Sequence, residues 1–156
     1  MAETLNNNKL FEDIKHYNEF DMEFWYAREL QEVLEYTDWR NFIKVIDKAK
    51  EACKNSKNNV LDHFVEADKM VVIGSGAERE IKDIILSRYA CYLIVQNGDP
   101  KKEAVALGQT YFAIQTRKQE LAEQFTELTE EKKRLAIRNE LREHNKNLAE
   151  AAGRKS

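Results

Sequence analysis

Four side chains in one short stretch, Arg40, Asn41, Lys44 and Lys48, have the types and spacing to hold or read nucleic acid. Arg40, Lys44 and Lys48 recur every four residues, so a helix of 3.6 residues per turn carries them along one side. A helix fits the major groove of DNA, with its N-terminal residues toward the base edges. There Arg40 matches guanine and Asn41 matches adenine, while Lys48 reaches phosphate and Thr37, just ahead of the helix, completes the set. Neutralised phosphates make such binding salt-dependent. Arg79 and Lys82 extend the idea, touching a DNA backbone from a β-wing. The competing reading is a solvated amphipathic helix, because this pattern recurs by chance. Glu29, Glu32 and Glu35 on the preceding segment also argue against a broad basic surface.

Other chemistries find little support. Gly74-Ser75-Gly76-Ala77-Glu78-Arg79 superficially suggests a phosphate loop, but it lacks the third glycine of a dinucleotide fingerprint and any Gly-Lys-Ser/Thr ending; a hairpin turn fits better. His16, His63 and His144 fall in three different elements without ligand spacing, so no metal site is expected. Cys53 and Cys91 both sit on apolar helical faces, which predicts buried, reduced thiols. There is no Gly-x-Ser-x-Gly motif and nothing that places a Cys–His pair. No catalytic residue, no cofactor and no enzymatic activity are therefore expected, and Arg88 reads as a structural ion-pair partner.

The elements that would position these residues are legible in outline. The chain has 156 residues, enough for one domain with an extension, and a net charge of −3 that predicts no partner by itself. Its distribution says more: residues 1–35 hold nine acids and three bases, whereas residues 36–60 hold three acids and six bases. No apolar run approaches the roughly 20 residues of a membrane span, and the N-terminus, M-A-E-T-L-N-N-N-K, has no apolar signal core. A cytoplasmic location without membrane contact is the expectation.

Residues 1–9 read as a disordered lead-in. Leu10–Tyr17 and Met22–Tyr26 flank a polar turn and predict a short hairpin. Ala27–Leu34 predicts a helix with Ala27, Leu30, Val33 and Leu34 inward. After a break at Glu35-Tyr36, Thr37 or Asp38 can cap a second helix, whose buried face is Trp39, Phe42, Ile43, Ile46, Ala49 and Cys53. Val65–Ile73 and Ile81–Leu86 predict two antiparallel strands around the glycine-containing turn. Ser87 then caps a helix with Ala90, Cys91, Leu93 and Ile94 inward. Asn97-Gly98 stops it through a left-handed residue, and Asp99-Pro100 starts the next helix with proline in its first position. From Arg117 the chain predicts a long charged helix, an extension of the one from Pro100. Leu121, Phe125, Leu128, Leu135, Leu141 and Leu148 are its candidate interface for self-association, with Leu141 and Leu148 out of register with the rest.

The expected fold class is thus α+β: small antiparallel strands and hairpins, a helix-turn-helix-like pair, a packed helical pair and a long C-terminal amphipathic helix. The expected organisation is a lead-in (1–9), a globular domain (10–120), a helix able to form a coiled coil (121–152) and a linker or truncated end (153–156).

Specific runs of sequence carry a family resemblance. L-S-R-Y-A-C-Y-L-I-V-Q-N-G-D-P-K and A-L-G-Q-T-Y-F-A-I-Q-T-R-K-Q-E, with R-N-F-I-K-V-I-D-K-A-K-E-A-C, D-H-F and M-V-V-I-G-S upstream, resemble the DNA-damage-inducible protein D family. More distantly the chain is similar to the N-terminal domain of Bro proteins and antirepressors. The resemblance covers roughly Phe11–Glu120. It implies a bacterial or prophage protein of the SOS response under LexA control, a DNA-binding domain, and restraint of RecA filaments on single-stranded DNA. Leu34-Glu35-Tyr36 occupies the family's L-G-Y turn, with Glu35 where glycine is usual; a wider turn or a first helix longer by one residue is expected, either of which would re-aim Arg40 and Asn41. The alternative function is a protein-interaction or oligomerisation module without direct DNA contact, working through the Leu121–Leu148 stripe.

Overall fold

The computed structural model describes residues 10–154; the expected lead-in and the last two residues of the expected linker lie outside them. After a helical stretch at residues 10–13, the order is β1 (His16–Tyr17), β2 (Glu23–Tyr26), α1 (Ala27–Val33), α2 (Trp39–Asn55), a 3-10 turn (Val60–Asp62), β3 (Phe64–Val72), β4 (Glu78–Leu86), α3 (Arg88–Gln96) and α4 (Glu103–Arg154). The strands form one antiparallel sheet in the order β1-β2-β4-β3. The fold is α+β, as expected.

The first hairpin exists, but the first half of its first arm is helical rather than extended. The reason is Phe11: its ring stacks on Trp25 at 4.5 Å and its carbonyl accepts from the Trp25 indole N–H at 2.9 Å, which holds this stretch against the buried Trp25. The turn itself is tied by Asn18, whose Oδ1 accepts from the backbone N–H of Phe20 (2.8 Å) and Met22 (3.0 Å).

The core lies between the sheet and α1, α2, α3 and the start of α4, around Trp25, Leu30, Phe42, Ile46, Leu86 and Ile94. Of the apolar face expected on α2, Phe42, Ile46, Ala49 and Cys53 are buried, Trp39 and Ile43 are half-buried at its edge, and Val45 joins the core as well. Cys53 and Cys91 are free and buried, and burial pushes both thiols up from their ordinary pKa.

Two expectations about the α3–α4 connection need correction. Gly98 is not left-handed; Gly76, in the β3–β4 turn, is the glycine that is. Gly98 serves close packing instead, because a Cβ there would lie 2.8 Å from Val105 Cγ1. Nor does Pro100 open the next helix. Asp99 closes a turn first, its Oδ1 accepting from Lys101 N–H and its carbonyl from Lys102 N–H, and α4 begins at Glu103.

The chain separates into two compact units, Met1–Phe112 and Ala113–Ser156. In the second, helix runs unbroken to Arg154, past Gly153, where a linker was expected to begin. Leu121, Phe125, Leu128, Leu135, Leu141 and Leu148 are all exposed, Phe125 by 71%. At about 100° per residue, Leu121, Phe125, Leu128 and Leu135 share one face, while Leu141 and Leu148 fall roughly opposite.

Candidate nucleic-acid interface

The outer side of α2 is positioned by contacts at its N-terminal end. Asp38, not Thr37, is the N-cap: its carboxylate accepts from Arg40 N–H at 2.8 Å. The turn ahead of it is a Schellman closure of α1, with Tyr36 N–H donating to the Gln31 carbonyl and Glu35 N–H to the Glu32 carbonyl, both at 3.0 Å. Glu35 takes φ +66°, the left-handed conformation that glycine would adopt. α1 therefore neither lengthens nor ends in a wider turn; the glutamate accepts the strained backbone instead. Tyr36 pins the same turn from inside. Its ring packs on Phe42 at 5.1 Å and its hydroxyl accepts from Asp99 N–H at 2.8 Å, linking the α1–α2 turn to the α3–α4 turn.

A second set of contacts fixes α2 against the sheet. The Arg28 guanidinium lies 4.1 Å from the Trp39 ring centroid, and its Nε donates to the Lys82 carbonyl at 2.7 Å. Asp83, 1% exposed, caps α1 from β4: its Oδ1 accepts from Arg28 N–H at 3.1 Å and Ile84 N–H at 2.8 Å, while its Oδ2 has no hydrogen-bond partner among the described residues. Neither Arg28 nor Asp83 was anticipated from sequence, and no local pattern marks them, since their partners lie 54 and 55 positions away in the chain.

On that frame Arg40, Asn41, Lys44 and Lys48 are exposed together on the outer side of α2, with Thr37 exposed just before it. None of the three cations is in an ion pair among the described residues. Asp47 and Glu51 are exposed at nearly the same angle around the helix. On this side of α2, Arg40 and Lys44 therefore lie between the Asp38 cap and the acids Asp47 and Glu51.

Arg79 and Lys82 are not brought together. The register pairs Val71 with Arg79 and Asp68 with Lys82, which sets the two on opposite faces of the β3–β4 ribbon. Lys82 lines a cleft of about 340 Å3 with Trp39 and Ile43 of α2, but Glu66 and Asp68 line it too.

Arg88 is structural, as its place beside the α3 cap suggested. Its guanidinium donates to Glu23 (Nε–Oε1 2.8 Å) and Glu12 (Nη1–Oε1 2.7 Å) and lies 5.0 Å from the Trp25 ring centroid. Hydrogen bonds from Arg88 hold the Glu12 carboxyl down at about 2 and lower that of Glu23. No group of three or more potential metal ligands occurs among the described residues, and no helix among them is long and apolar enough to cross a membrane.

DNA damage-inducible protein D of Escherichia coli (strain K12) is 60% identical over 144 residues, covering 91% of this chain and 53% of that protein. The chain spans about half the length of the curated relative it matches. No solved structure matches it. The family described as "BRO family, N-terminal domain" matches residues 13–131. That match takes in the sheet, the α1–α2 pair, the α3–α4 connection and part of the long helix, and by it the chain belongs to the BRO family through its N-terminal domain.

Proposed function

We propose that this chain is a nucleic-acid-binding module without enzymatic activity, acting in a bacterial or prophage response to DNA damage, and that it meets nucleic acid through the outer side of α2. One observation carries the reading: Arg40, Lys44 and Lys48 project, exposed and without ion-pair partners among the described residues, from a helix capped by Asp38 and braced by Tyr36 and Arg28. Family membership supports it, and the name of the 60% identical relative supports the link to DNA damage. Modulation of RecA filaments on single-stranded DNA is the finer reading that the family resemblance suggests.

The test is a titration of labelled single- and double-stranded DNA at ~50 and ~200 mM salt. Affinity is expected to fall with salt. Combined Arg40→Ala, Lys44→Ala and Lys48→Ala should lower the log–log salt slope by about 2–3 and weaken binding by on the order of a hundredfold at the lower salt. If the intact chain binds neither form at ~50 mM salt, where phosphate contacts are strongest, the reading fails. The RecA reading is tested separately, by adding the chain to preformed filaments and following their disassembly; filaments that persist unchanged count against it.

Self-association is the second reading, favoured by one observation: Leu121, Phe125, Leu128 and Leu135 form an exposed apolar face on a helix with no other element among the described residues of its unit.

A further inference from the structure

β3 is one of the two edge strands of the sheet. Along its nine residues the backbone pairs only with β4 among the described residues. An open edge of that length is a template for another strand, and its side chains decide which strand it accepts. The register sets Glu66, Asp68, Met70 and Val72 on one face, opposite Ile84, Lys82, Glu80 and Glu78 respectively. That face carries four exposed carboxylates against one ammonium, with Met70 and Val72 exposed among them. At its inner end, Glu66 and Asp68 flank the cleft whose other wall is Trp39 and Ile43.

The charges select against two occupants. A second copy pairing antiparallel about residue 67, 68 or 69 would set Glu66 against Asp68, Asp68 against Asp68, or Lys69 against Lys69. A phosphate backbone would meet the same carboxylates. A cationic strand meets the opposite situation. Alternate residues of an extended chain recur about every 6.6 Å, so Lys or Arg at every second position would face Glu66 and Asp68 in turn. The cleft beside them offers Trp39 and Ile43 to a long aliphatic stem.

We propose that the free edge of β3 takes up an extended segment of a partner protein bearing Lys or Arg at alternate positions, its backbone pairing with β3 and its cations facing Glu66 and Asp68. The surface is separate from the outer side of α2, so it stands or falls independently of nucleic-acid binding.

The test uses the full 15N-labelled chain and the capped peptide Lys-Thr-Lys-Thr-Lys-Thr-Lys-Thr at ~50 mM salt. Saturable shifts are expected in the amides of residues 64–72 and in the Trp39 indole, and exchange of the outward β3 amides should slow. Reversing the exposed charges with Glu66→Lys and Asp68→Lys should weaken this peptide at least about tenfold and create binding of the Glu-Thr counterpart. The Arg40, Lys44 and Lys48 alanine variant should bind the peptide as the wild type does. Three results would overturn the proposal: no saturable shift, shifts without slowed exchange, or unchanged affinity in the charge-reversed chain.

Discussion

Arg88 shows how much one side chain can fasten. It joins Glu12, at the head of the described chain, to Glu23 on β2 while packing beside Trp25. Both carboxyls bind protons more weakly in the folded chain than in the unfolded one, where they titrate near 4.5. Their contribution to stability is therefore complete above that value and is lost as pH falls from about 4.5 toward about 2. Arg88→Gln should lower unfolding free energy near neutral pH by roughly 1–2 kcal/mol, a modest figure because all three side chains are about a third exposed. Urea titrations of both proteins across the acid range check the sign: the gap between them should narrow as the carboxyls protonate, and a gap that widens would contradict it.

At the scale of elements, the turns that aim α2 carry strain and close packing. Glu35 is held left-handed by the closure of α1. Glu35→Gly should remove a cost of about 1–2 kcal/mol, offset in part by the greater freedom of glycine in the unfolded chain, for a net gain of about 0.5–1 kcal/mol in thermal or denaturant unfolding. Gly108 makes the opposite prediction. A Cβ there would lie 2.8 Å from Val95 Cγ1, and Val95 is a short, buried, β-branched side chain. Gly108→Ala should push α4 away from α3 and cost about 1–3 kcal/mol, read by the same unfolding measurements. If Gly108→Ala leaves the unfolding midpoint unchanged, close packing is not why glycine stands there.

For the whole molecule, the question is what the exposed face of the second unit does. Leu121, Phe125, Leu128 and Leu135 recur on one side of α4, and a helix is stable in water chiefly through burial of such a face. If that face joins copies of the chain, Leu121→Asp with Leu128→Asp should shift sedimentation from a dimer or larger species to the monomer. Leu141→Asp with Leu148→Asp, on roughly the opposite side, should leave that species unchanged. A wild-type chain that sediments as a monomer at all concentrations would remove self-association as a reading.

Where the signal was local, it could be read directly. The Asp38 and Ser87 caps, the α2 periodicity, the glycine-containing β3–β4 turn and the unbroken run of the long helix depend on neighbours within a turn or two, as helix and hairpin formation do. Two further features were also present as spacings: an offset of three positions from Arg79 to Lys82 already sets them on opposite faces of a strand, and an offset of twenty from Leu121 to Leu141 sets those on opposite sides of a helix. The helical turn beside Phe11, the Asp83 cap, the Arg28–Trp39 stack and the packing role of Gly98 were decided by folding alone. Each joins residues that meet only once the chain is compact, or depends on how closely two helices approach. The exposed polar side of α2 was thus visible in the chain, but the direction in which α2 presents it was set by contacts from β4 and the α3–α4 turn, because a helix's own sequence fixes its faces and not its orientation.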